Sequence, residues 1–172
     1  MTKTKVGISH GGQSAEERYR AATGAEKPPK TSLGDAVIAG NFVEVKQASS
    51  KTKTLNQVRA VKYIPLVAYD KPMRTWYVVP AQVVVALVSP KSRGQHTENP
   101  FESATLSIKD LGHYAINGEH ELRAKTLAAI ASARKYPELR AAMESILTAS
   151  RKLAKKSISR VREILERHKL VG

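Results

Sequence analysis

Three side chains offer chemistry at one place in this chain: Asp35, Glu44 and Lys46. Two short apolar runs, residues 36–39 and 42–45, flank Gly40-Asn41, which is the pattern of a β-hairpin with a tight turn. Side chains alternate along a strand, so Glu44 and Lys46 share one face while Val43 and Val45 share the other. An acid and a base on one face of an otherwise apolar strand break simple core patterning, and such breaks mark functional sites. The hairpin brings Asp35 toward Glu44. Hydrolysis of a phosphodiester requires neutralised phosphate charge, an activated water and a stabilised leaving oxygen. Two carboxylates make a hard oxygen site suited to Mg2+, which keeps several waters, and the Val45 carbonyl offers a third ligand. A lysine beside them polarises the attacking water or braces the phosphate, with a pKa pulled one way by burial and the other by the acids.

The elements that must position these groups follow from the flanking sequence. Ser14 and Glu17 form a capping box, so a helix is predicted from Ser14 through Ala22, with Gly24 as its stop. Residues 26–32 contain Pro28-Pro29 and read as a linker. After the hairpin, residues 47–54 read as an exposed basic loop carrying Lys51 and Lys53. Apolar residues at 55, 58 and 61 predict a short helix over 55–63, with Arg59 and Lys62 interleaved. Strands are predicted over 64–69 and 75–79, then a helix over 81–88 with Pro80 in its first position. A polar loop over 89–103 carries Lys91, Arg93, His96 and Asn99, and 104–108 reads as a last short strand. Beyond Glu119 the pattern is helical: one amphipathic helix ends before Tyr136-Pro137. The stretch 138–171 is one long helix or two broken near 148–150, with a basic face that includes Lys155 and Lys156.

Bulk properties bound the function. The 172 residues fit one domain, or one domain with a helical extension, divided as an arm (1–13), a core (14–110) and a basic helical region (119–172) that is part of the same domain or a dimerisation or DNA-binding extension. An apolar content of 41% supports a real core. The net charge of +14 favours a polyanionic partner, nucleic acid first and an anionic membrane surface second. The absence of cysteine excludes disulfides, cysteine zinc sites and thiol catalysis. No apolar run reaches the roughly 20 residues needed to span a bilayer, so a soluble, intracellular, cytoplasmic protein is expected. The five histidines show no ligand spacing, and Gly11-Gly12 lacks the context of a phosphate-binding loop.

Asp35, then Glu44-Val45-Lys46 after eight intervening residues, resembles the signature of the PD-(D/E)XK nuclease superfamily. That superfamily includes restriction endonucleases, Holliday-junction resolvases and RecB-type domains. The resemblance implies an α/β fold, a mixed central sheet flanked by helices in the order α-β-β-β-α-β, matched here over residues 14–88. It implies Mg2+, with Mn2+ able to substitute, held by Asp35 and Glu44, and Lys46 assisting the water. Residues 14–18 resemble the start of the helix that supplies a further acid in archaeal junction resolvases. That points to Glu16 as a metal ligand, with Glu17 not separated from it. The family's proline before the first acid is Gly34 here. Gln57 could stand for a polar helix residue near the site, or simply face solvent. The expected partner is double-stranded or branched DNA, contacted by Lys51, Lys53, Arg59, Lys62, Arg93, Lys155 and Lys156. A homodimer is expected, with no membrane. Within the class a type II restriction-type enzyme is preferred over a resolvase. A non-catalytic DNA-binding module and an RNA-associated basic protein are the rivals, in which Glu44 and Lys46 are a surface pair.

Overall fold

In the computed structural model the described residues are 13–30, 33–149 and 151–170, without the side chains of 151–153. The N-terminal arm with Lys3, Lys5 and His10 lies outside them, apart from Gln13. Helix α1 spans Ala15–Thr23. The Ser14 hydroxyl accepts the Glu17 amide, the Glu17 carboxylate accepts the Ser14 amide, and Gly24 closes the helix in the left-handed region at φ 70°. Within the 26–32 stretch, Glu26 exchanges two backbone hydrogen bonds with Val37, so the linker starts by lining the outer side of the hairpin.

The predicted hairpin is β1 (Ala36–Ile38) and β2 (Asn41–Gln47), antiparallel, with Ala36 opposite Val43 and Ile38 opposite Asn41. The turn is therefore Ala39-Gly40, at φ 47° and 75°, and not Gly40-Asn41: Asn41 is already in the strand. The chain then departs from expectation. Residues 55–63 are not a helix. Thr54–Val58 form strand β3, and only Ala60–Lys62 make a single 3-10 turn. The three-residue apolar spacing serves a strand equally well here, because Leu55 and Val58 bury against β6 (Ala104–Ser107) in a separate two-stranded sheet with a register shift between them. Gln57 therefore sits at an exposed position of a strand with φ 55°, not on a helix. Strands β4 (Leu66–Asp70) and β5 (Thr75–Val79) follow, then α2 (Ala81–Val88), for which Pro80 is the residue before the first turn rather than in it. A short 3-10 helix over Ile108–Tyr114 leads into β7 (Ala115–Ile116). Helices α3 (Leu122–Ala133), α4 (Pro137–Thr148) and α5 (Arg151–Arg167) complete the order, with a break between 148 and 151.

The main sheet runs β1-β2-β4-β5-β7, with β2 and β4 parallel and the other pairs antiparallel, so the protein is α/β with a mixed sheet flanked by helices. Alternation gives the sheet two buried faces. On one, Val43, Val45, Val67, Tyr69, Trp76 and Val78 pack under α1 and α3. On the other, Leu66, Ala68, Tyr77 and Val79 pack against α2, the small sheet, α4 and α5. Trp76 is core: its ring stacks on Tyr69 at 4.4 Å and its indole N–H donates to Glu119. Among the described residues no helix is long and apolar enough to cross a membrane.

A candidate active site at the open edge of the hairpin

Strand β1 is only three residues long, so β2 outruns it. Glu44 N–H donates to Pro65 O on the β4 side. In a parallel ladder both backbone groups of one residue face the same neighbour, and those of the next residue face the other way. The Val45 amide and carbonyl therefore point past the end of β1. Asp35 fills that position: its Oδ2 accepts the Val45 amide at 2.8 Å, and its own amide donates to Val43 O. The Asp35 carboxylate thus lies along the sheet edge, in line with the ladder. Arg20 of α1 braces the loop by donating from Nη1 to Asp35 O at 3.0 Å.

Glu44 and Lys46 project onto the face shared with Leu66 and Ala68, as the register with β4 requires. Glu44 is 7% exposed, which is uncommon for a glutamate and demands partners. It has two. Lys46 Nζ lies 3.0 Å from Oε1, and Lys62 Nζ lies 3.1 Å from Oε2. Lys62, expected at a phosphate, is instead drawn into this cluster by the 3-10 turn of Ala60–Lys62. That turn is pinned by Val61 N–H donating to Phe101 O.

Glu16, on the first turn of α1, is close enough for its charge to be felt. Its carboxyl is held above the usual range by burial first and by the Asp35 charge second, against the pull of Arg20 and Lys46. The Asp35 carboxyl is raised as well, by burial first. Glu44 adds to the rise, and the Val45 amide, Lys46 and Lys62 oppose it. Glu16, Asp35, Glu44 and Lys46 therefore form one electrostatic unit. Glu17 is committed to the helix cap. Among the described residues no three acidic or histidine side chains converge as a preformed metal cage.

The other expected contacts scatter. Lys53, with φ 54°, reaches the far end of β4 and pairs with Asp70 at 2.7 Å, where Asp70 is 3% exposed. Lys51 and Arg93 are exposed on loops, and Arg59 donates to Glu102 O from an exposed position. Lys155 and Lys156 are exposed on α5, and Lys155 also lines a cleft with Glu98 and Glu102. Asn99 is turned inward, accepting the Phe101 amide. Sequence reasoning missed Arg20, and it missed Arg134 and Arg140, which line a cleft of about 410 Å3 beside Lys62 and the hairpin turn. Arginines on predicted helices carried no spacing signal that would have placed them there.

Comparison of the chain with protein-family models, curated proteins and solved structures gave no match.

Proposed function

We propose that the protein is a Mg2+-dependent DNA endonuclease of the restriction-endonuclease-like kind. The observation that carries this reading is the convergence of Asp35, a buried Glu44 and Lys46 at the end of one hairpin. The donor set suits the ion chemically. Two carboxylates and the outward Val45 carbonyl are hard oxygen ligands, and a cation between the carboxylates relieves the repulsion of their like charges. Asp35 and Glu44 would hold it, with Glu16 as the nearest further acid. The bound ion would supply charge neutralisation at the scissile phosphate and an acidified water. The chain's own residues do the rest. Lys46 orients the water and stabilises the charge that develops on it, while the Val45 amide keeps Asp35 in place. Arg20 fixes the loop that carries Asp35.

A duplex-cutting, restriction-type homodimer remains the preferred form, with junction resolution as its alternative. Exposed Lys51, Arg93, Lys155 and Lys156 supply sequence-independent phosphate contacts. The second reading is a non-catalytic nucleic-acid-binding protein, and it is favoured by one fact: both oxygens of Glu44 already have lysine partners. Supercoiled plasmid separates the two. Wild type is expected to nick or linearise it with Mg2+ or Mn2+, with Glu44→Ala and Lys46→Ala inactive. DNA binding with no cleavage of plasmid, linear duplex or four-way junction under either metal sinks the nuclease reading.

A further inference from the structure

Lys62 stands between two environments. On one side its ammonium holds Glu44 Oε2 at 3.1 Å, with only 14% of its side chain exposed. On the other it lines the cleft of about 410 Å3 that Arg134 and Arg140 also line. Among the described residues Arg134 reaches only the neutral Asn41, its Nη2 being 3.3 Å from Oδ1, while Arg140 pairs with the exposed Glu144 carboxylate. Three cations around a cleft large enough for a phosphate group set up a competition for Lys62. Glu44 holds it while the cleft is empty, and a phosphate lodged against Arg134 attracts it away.

We propose that Lys62 is a displaceable counter-ion. It occupies Glu44 in the free protein and moves to a DNA backbone phosphate seated in the Arg134–Arg140 cleft, which frees Glu44 Oε2 for a divalent cation. This rests on the nuclease reading and adds to it a positioning residue and a phosphate subsite. Metal and DNA then bind cooperatively, because each takes one side of the same ion pair. Metal without DNA meets an occupied carboxylate, which keeps the site quiet until substrate arrives.

The test measures Mn2+ affinity by electron paramagnetic resonance, with and without a short phosphorothioate duplex that is slow to hydrolyse. For wild type, the duplex should tighten Mn2+ binding on the order of tenfold. Lys62→Met should bind Mn2+ about tenfold more tightly than wild type without DNA, lose most of the DNA-induced gain, and show a salt slope for DNA binding lower by about one contact. Arg134→Ala should reduce the DNA-induced gain while leaving Mn2+ binding without DNA at the wild-type value. The Lys62→Met effect should persist at high salt, since a largely buried pair is poorly screened whereas general charge repulsion is not. Lys62→Gln, with the same thermal unfolding check, guards against misfolding of the first variant. Equal Mn2+ affinity of wild type and both Lys62 variants without DNA overturns the proposal while leaving plasmid cleavage, and so the nuclease reading, standing. Absence of Mn2+ binding under all conditions together with absence of cleavage overturns both.

Discussion

Glu44→Gln is the substitution whose stability cost the structure fixes most directly. Glu44 is the shared anion of two lysines at 3.0 and 3.1 Å, and the side-chain exposures are 9% for Glu44, 26% for Lys46 and 14% for Lys62. Glutamine keeps the shape. Its carbonyl oxygen can accept from one ammonium, but its amide N–H groups then face the other. One lysine loses its partner and two ammonium groups are left together without an anion. Breaking a fully buried pair costs about 3–5 kcal/mol. Lys46 can move its head toward water along its aliphatic stem, so about 2–3 kcal/mol is expected. For a chain of this length that is a fall in Tm on the order of 5–10 °C. Removing the stranded charge as well should restore part of it. In a double-mutant cycle Glu44→Gln and Lys62→Met should couple by about 1–2 kcal/mol, the double variant being more stable than the sum of the singles. Urea unfolding of the four proteins, with equal m-values, measures this. A loss below about 0.5 kcal/mol for Glu44→Gln, or a coupling of zero, would refute the claim that Glu44 is a buried clamp.

Asp35→Asn keeps an oxygen for the Val45 amide and removes a charge whose carboxyl is held above its ordinary range, by burial first. Because the folded pKa is raised, Asp35 favours folding fully at acid pH and that contribution is lost as pH rises through the folded pKa. The variant should therefore unfold at a higher temperature than wild type at neutral pH, converge with it near about pH 3, and cleave DNA at least about 100-fold more slowly. Lys53→Met leaves Asp70 buried without its ammonium, and a loss of about 2–4 kcal/mol in urea unfolding is expected. The paired change Lys155→Gln and Lys156→Gln should weaken DNA binding evenly across sequences and lower the slope of log K against log salt by up to about 2, read by fluorescence anisotropy; an unchanged slope would remove α5 from the interface.

What the sequence revealed was local. Ser14, Glu17 and Gly24 bound α1 through bonds that span three or four residues, and the hairpin turns within two, at Ala39-Gly40, one residue before the expected Gly40-Asn41. What it concealed was distant in the chain. The stretch 55–63 looked helical because Leu55, Val58 and Val61 repeat every third residue. Pairing with β6, some fifty residues on, decided for a strand, and propensity yielded to a partner no local pattern names. The site divides the same way. Asp35, Glu44 and Lys46 are one hairpin and could be read together, whereas Lys62 joins them across eighteen residues through a turn pinned to Phe101. Arg134 and Arg140 arrive from α3 and α4 with no sequence cue at all.

The short β1 has an effect on association as well as on chemistry. A strand that outruns its neighbour offers an unpaired row of amides and carbonyls, on which other chains can add and aggregate. Here the first outward amide beyond β1 is already held by the Asp35 carboxylate, and the two acids and Lys46 cluster beside it. An incoming strand would have to displace a charged acceptor and bury it. The grouping that equips the hairpin edge to hold a cation therefore also keeps that edge from templating a fibre, and substitutions that neutralise it should raise aggregation of the purified protein even where they raise its melting temperature.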